Sequence, residues 1–190
     1  MTDRLLDAFA GSAARRYGGE PVTELAHSLQ CAELARDAGA DDELQLACLL
    51  HDVGRFAVDP RLIFDKKDRA VGAGPDAKGH HDVGADLIAP YVPERVAWLV
   101  RMHADAKRYL CAIEPAYWGT LTPGSRYTLT LQGGVMTPET VSSLTRHPWL
   151  ADAVRLRRWD DLAKVPDRPT RRLEAWAPLL ERYFAHPRRA

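Results

Sequence analysis

The sequence predicts an all-α fold. Apolar residues recur three and four positions apart through most of the chain, which is the repeat of one helix face. Glycines and prolines interrupt that repeat where helices would stop. No segment alternates apolar and polar side chains long enough to argue for a sheet. The chain has 190 residues, 46% of them hydrophobic. That suits one helical domain over 1–190 with a sizeable core.

The elements follow in order. Thr2 stands where it can cap a first helix running to about Tyr17, stopped by Gly18-Gly19. After Pro21, "VTELAHSLQCAELARDAG" carries Leu25, Leu29, Ala32 and Ala35 at helical spacing and ends at Gly39. Asp41-Asp42 open a third helix, "ELQLACLLHD", ended by Gly54. Residues 57–79 hold Pro60, Gly72, Gly74, Pro75 and Gly79 among many charges, and a long loop is expected there. A loop of such length in a compact domain is often functional. A fourth helix runs from near His80 to about Pro90, and a fifth covers "ERVAWLVRMHADAKRYLCAI" from Glu94. Residues 115–137 are expected to be an irregular loop with "LTLQGGVM" as an apolar patch. A short helix follows Pro138, "HPWLADAVRLRRWDDLAK" supplies another, and a C-terminal helix over 169–185 closes the chain.

Composition narrows the function classes. Acidic and basic residues balance at 26 each, so generic affinity for nucleic acid is not expected. The charged N-terminal segment lacks the apolar core of a signal peptide. No run approaches the roughly 20 apolar residues of a membrane span. Cys31, Cys48 and Cys111 show no CxxC spacing. They point to a reduced, cytoplasmic setting rather than a disulfide framework.

The informative residues are polar side chains on apolar helices. "CLLHDVGRF" (48–56) ends an apolar run with His51 and Asp52 side by side. Neighbours on a helix diverge by about 100° and do not face each other. Both could serve one metal only where the helix ends, and Gly54 supplies an end. They could serve two metals if the carboxylate bridges while imidazoles take the outer positions. Taken singly, His27 or His103 reads as a hydrogen-bonded helix histidine. Several helices each carrying one change that reading, because imidazole is the commonest metal ligand among side chains. Adjoining carboxylates suit Fe, Mn or Zn. Two ions about 3.5–4 Å apart are a recurrent catalytic arrangement.

The ordered set His27, His51-Asp52, His80, His103 and a late aspartate resembles the HD-domain metalloenzyme superfamily. It comes with "HxxxGA" from His80 to Ala85 and "RRWDDLAK" (157–164). The resemblance covers about 17–165, the expected metal-binding core. Other stretches are similar to its PhnZ-type phosphonate oxygenases, which are distant relatives of myo-inositol oxygenase. These are "YGGEPVTELAHSLQCA" (17–32), "LLHDVG" (49–54), "HADAKRYL" (103–110) and "LTLQGGVM" (129–136). The resemblance implies a helical HD bundle, two iron ions in a mixed-valence Fe(II)/Fe(III) state, and O2 as co-substrate. The implied ligands are His27, His51, Asp52, His80, His103 and Asp160, with Asp52 bridging. His80 rather than His81, and Asp160 rather than Asp161, match the motif positions.

The implied reaction is oxidative cleavage of the C–P bond of a 1-hydroxy-2-(amino or trimethylammonio)ethylphosphonate. Phosphate and a carboxylate, glycine or glycine betaine, would result. An upstream 2-oxoglutarate-dependent hydroxylase would supply the hydroxyphosphonate. The alternative is the superfamily's larger branch, metal-dependent phosphohydrolases acting on phosphoesters or nucleotides. Lys107 lies four residues after His103 and Arg157 three before Asp160, so each shares a helix face with an implied ligand. With Asp52 they are the candidate catalytic residues. A phosphonate dianion suits a lysine and the planar fork of an arginine. Ser125 and Gln132 are candidate neutral donors from the loop. Tyr17 and Glu20 match the family's gating tyrosine and ammonium-binding acid. Three departures border the site: Ala26 where relatives usually carry Glu, Arg55 where they often carry His, and a longer 57–79 segment.

Overall fold

A computed structural model describes residues 1–57 and 78–188. The expected loop at 57–79 therefore lies outside the described residues, apart from Ala57, Lys78 and Gly79. The described residues form ten α-helices and no strand, as the periodicity predicts. The helices are α1 (Thr2–Ser12), α2 (Glu24–Asp37), α3 (Asp42–Leu50), α4 (His80–Ile88) and α5 (Glu94–Ile113). They continue with α6 (Tyr117–Thr120), α7 (Pro123–Leu131), α8 (Pro138–Leu144), α9 (Leu150–Leu162) and α10 (Ala177–Phe184). Short 3-10 turns cover Val53–Arg55 and Leu173–Trp176.

Local chemistry explains the starts. Thr23 caps α2 by accepting from the Ala26 amide at 3.1 Å, and Asp41 caps α3 through the Leu44 amide at 2.9 Å. Both satisfy amides that a first turn leaves without intrahelical partners. Three expectations need correction. Met1, not Thr2, is the N-cap of α1, with no side-chain cap, and the helix stops at Ser12 rather than Tyr17. Tyr17 and Glu20 therefore sit on a loop that turns at Gly18 and Gly19, both at positive φ. Residues 115–137 are largely helical. Thr122 accepts from the Ser125 amide and Pro123 fills the first turn of α7, a start signal hidden among other glycines and prolines. The C-terminal helix begins later than 169, at Ala177, after the 3-10 turn.

Helix α5 runs through the middle and packs on α3, α4 and α9, while α2 packs on α3 and α9. Leu46, Leu49, Leu50, Leu99 and Leu156 are fully buried at these contacts. Leu5 and Phe9 of α1 and Leu180 and Phe184 of α10 belong to the same core. One crossing sets the site's geometry. "HDVG" occurs at 51–54 and again at 81–84, and the two glycines meet. A methyl on Gly54 would collide with the His80 carbonyl and stand 2.7 Å from the Gly84 amide nitrogen. One on Gly84 would stand 2.9 Å from the Gly54 nitrogen. Only hydrogen at both positions lets α4 approach the turn after α3 this closely.

Candidate metal centre and binding pocket

Five elements converge on one buried point. His27 comes from α2, His51 from the end of α3, His80 from the first residue of α4, His103 from α5 and Asp160 from α9. Asp52 follows His51 just as the chain leaves α3 for the 3-10 turn. All six are 4% exposed or less. His27 Nε2 and His51 Nε2 are 3.0 Å apart, and each lies within 3.7 Å of Asp52 Oδ2. His80 Nε2 and His103 Nε2 are 3.1 Å apart and face the other oxygen, Asp52 Oδ1, at 2.9 and 3.7 Å. Asp160 Oδ1 stands 3.3 Å from His27 Nε2. Two triads, His27–His51–Asp52 and Asp52–His80–His103, could each hold an ion, with Asp52 common to both.

The hydrogen bonds behind the rings fix their tautomers. Nδ1 of His27 bonds the Ala163 carbonyl at 2.7 Å, that of His51 the Cys48 carbonyl at 2.8 Å, and that of His103 the Val100 carbonyl at 2.7 Å. A carbonyl only accepts, so each Nδ1 carries a proton and Nε2 is the nitrogen that each ring directs inward. Such backing bonds orient metal-ligating imidazoles generally. Two such nitrogens about 3.0 Å apart need a proton or a metal ion between them. For a metal–nitrogen bond of about 2.1 Å, two ligands at a right angle stand about 3.0 Å apart. The buried oxygens Asp52 Oδ1, Asp52 Oδ2 and Asp160 Oδ1 have no aligned hydrogen bond among the described residues. Unsatisfied buried acceptors are costly, and cations would satisfy all three. The donor set fits a pair of metal ions.

The electrostatics agree. Burial lowers the His27 and His103 pKa values, keeping both rings neutral. Burial alone would raise the Asp52 carboxyl, but His51, His80 and Arg55 together hold it well below the usual range. Asp160 is likewise held low against burial, chiefly by Arg157. At His51 burial opposes protonation, yet Asp52 and Cys31 pull the ring up to about 10. The centre is thus strongly attractive to positive charge.

A pocket enclosing about 480 Å³, part of it open to solvent, leads to the His80, His103 and Asp160 side of this centre. It brings together every expected binding residue: Tyr17, Glu20, Lys107, Ser125, Gln132 and Arg157. Ser125 lies within α7 and Gln132 caps its end, so both come from a helix rather than the expected loop. Lys107 is buried and donates to Thr128 Oγ1 at 2.9 Å and to the Ser125 carbonyl at 3.4 Å. Burial, then the nearby Arg157, pushes its ammonium down to about 7. Arg157 donates to Asp160 Oδ2 at 2.6 Å and the Tyr117 hydroxyl at 3.0 Å, and pairs with Asp161 through two nitrogens. Tyr17 stacks on His27 with ring centres 3.9 Å apart. Burial, then Asp52 and Asp160, raises its phenol well above the ordinary value, so it keeps its proton.

The doublets separate by environment. His81 is half-buried and its Nε2 lies 3.5 Å from Asp82 Oδ2. Asp161 faces outward to Tyr117 and Arg157. Sequence reasoning missed four residues here. Lys164 donates to Ser125 Oγ at 3.0 Å and Thr128 holds Lys107. Tyr117 ties Arg157 to Asp161, and Glu24 lies beside Arg55 at 3.6 Å. Thr128 and Lys164 could have been found from helical spacing, being three after Ser125 and four after Asp160. Tyr117 is 40 residues from Arg157 and left no local signal.

Known proteins place the chain. It is 34% identical over 168 residues to the [1-hydroxy-2-(trimethylamino)ethyl]phosphonate dioxygenase (glycine-betaine-forming) of Leisingera caerulea, covering 87% of this chain and 81% of that one. It is 38% identical over 146 residues to the hydroxymethylphosphonate dioxygenase of Gimesia maris, covering 77% and 70%. The HD domain family model matches residues 25–140, the span holding all four converging histidines and Asp52. The chain belongs to the HD-domain family.

Proposed function

We propose that this protein is a diiron oxygenase that cleaves the C–P bond of a small 1-hydroxyphosphonate, giving phosphate and a carboxylate. The observation that carries the reading is Asp52, whose two oxygens face two separate histidine pairs. A carboxylate so placed could serve two ions at once. The names of both relatives agree with the chemistry. On this reading His27, His51, Asp52 and Asp160 would hold one iron, and Asp52, His80 and His103 would hold the other. The mixed-valence pair, when bound, supplies the redox chemistry with O2.

The chain's own residues bind and orient. Lys107 meets the phosphonate dianion, with Ser125 and Gln132 as neutral donors. Arg157, tied to both Asp160 and Asp161, contributes its charge while holding Asp160 in position. Tyr17 closes the pocket over His27 and carries no charge of its own. The balance is R–CH(OH)–PO3(2−) plus O2 giving R–COO(−), HPO4(2−) and H(+). One new oxygen goes to carbon and one to phosphorus, and the C–P and C–H bonds break. The hydroxyl on C1 must come from an earlier step, which a 2-oxoglutarate-dependent hydroxylase would supply. We further assign the whole of 1–190 to one HD domain. The three free, buried cysteines suit a reducing, cytoplasmic setting. No helix among the described residues is long and apolar enough to cross a membrane.

The test is simultaneous measurement of O2 uptake and phosphate release from a 1-hydroxyphosphonate after anaerobic iron loading. Equal molar uptake and release is expected. Phosphate release that persists under strict anaerobiosis would replace this reading with a phosphohydrolase.

A further inference from the structure

The lining of the pocket is of two chemical kinds. Lys107 and Arg157 suit a phosphonate. Tyr17, Gly18, Glu20, Gly124 and Arg55 line the same pocket, and a substituent on C1 is assigned to them. Arg55 is buried there. Its Nε stands 3.6 Å from Glu24 Oε1 and 3.9 Å from Asp52 Oδ2. Its guanidinium carbon lies 5.0 Å from the centre of the Tyr17 ring. A methyl on Gly18 would stand in ordinary contact with Arg55 Nη2, at 3.7 Å.

Binding of a quaternary ammonium depends on an aromatic face reached by the ligand's own charge. Here the Tyr17 ring is engaged twice, by His27 stacked at 3.9 Å and by Arg55. An acid is present as well. Glu20 Oε1 accepts the Thr122 hydroxyl at 2.5 Å and lies against Gly124. A cationic tail would enter beside a guanidinium that already occupies Glu24 and Asp52, and in a buried setting that like charge opposes the pull of Glu20. Specificity is commonly built from such a repulsive element.

Resting on the oxygenase reading, we infer that Arg55 is a specificity-determining residue that selects compact 1-hydroxyphosphonates with an uncharged substituent or none, of the hydroxymethylphosphonate type, against trimethylammonium tails. This departs from the cationic tail that the sequence resemblance implies.

The test uses the iron-loaded full chain and two probes, hydroxymethylphosphonate and 1-hydroxy-2-(trimethylammonio)ethylphosphonate. Anaerobic calorimetry reads their binding without turnover. The compact probe is expected to bind at least about tenfold more tightly. Arg55→Gln, which keeps hydrogen bonding toward Glu24, and Glu24→Gln/Arg55→Met, which avoids stranding a buried carboxylate, should each shrink that ratio severalfold. Circular dichroism and iron content identify which variants are folded. Equal or tighter binding of the trimethylammonium probe by the unmodified chain overturns the inference, as does an unchanged ratio in a folded variant. Selective binding followed by O2-independent phosphate release would sink the oxygenase reading while leaving Arg55 as the selector. Binding of neither probe would sink both.

Discussion

Burial holds Lys107 near its titration point at neutral pH, with a pKa of about 7. The sign follows from the direction of the shift. The neutral amine is favoured by burial, so above that pH the free protein carries an uncharged Lys107. A phosphonate dianion wants the ammonium, and binding must then take up a proton. Affinity for hydroxymethylphosphonate should fall by up to about tenfold per pH unit on the alkaline side, read by calorimetry in buffers of differing ionisation heat. Lys107→Met should bind weakly at all pH values and lose the proton uptake. The adjacent aspartates should differ in their hold on metal. Asp160 Oδ1 stands 3.3 Å from His27 Nε2, whereas Asp161 accepts from the Tyr117 hydroxyl at 2.5 Å. Elemental analysis after iron loading should find a lower iron content in Asp160→Asn and an unchanged one in Asp161→Asn. Equal losses would make the pair interchangeable and contradict their separate environments.

Among the elements, the contact of α4 with the turn after α3 controls the distance between His80 and Asp52. Gly54→Ala must push the two backbones apart, because the added methyl meets backbone atoms that cannot rotate away. Overpacking of this kind costs about 1–3 kcal/mol or more, and about 2–4 °C in Tm per kcal/mol for a chain of this size. Thermal unfolding should report that drop, together with reduced iron binding as His80 retreats. Ala substitution at the exposed Gly119, which meets nothing within 4 Å, is the control and should leave iron binding intact. The same region indicates what a sequence can disclose. Helical spacing located α2 to α5 because each buries a continuous apolar face. The twin "HDVG" was visible as a repeat, but that its glycines touch is a fact of packing. The 115–137 segment reads as a loop in the sequence for a related reason. Its glycines and prolines suit loops and helix starts alike, and only the Thr122 cap and the burial of Leu129 favour the helix.

Across the whole molecule, buried negative charge has been gathered at the convergence of the main helices. His27, His51, Asp52, His80 and His103 were legible because imidazoles on several apolar helices have few other uses. The Arg157–Tyr117–Asp161 cluster was not, since its partners are far apart in sequence and meet only in the folded bundle. Stability should therefore depend on what fills the centre. The three unsatisfied oxygens of Asp52 and Asp160 lose their desolvation cost once cations bind, and those cations have no comparable site in the unfolded chain. Ligand linkage then gives about 2.7 kcal/mol when free metal exceeds the dissociation constant a hundredfold. At about 2–4 °C per kcal/mol, iron loading should raise Tm by roughly 5–11 °C, and a chelator should reverse the rise. Asp52→Asn should abolish the metal response, because its oxygens face both histidine pairs. Lys107→Met should keep it, because that side chain faces the pocket beyond the centre. A Tm indifferent to metal in the unmodified chain would mean that the convergence is satisfied by protons instead, and that the bundle is built around a protonated histidine–aspartate cluster.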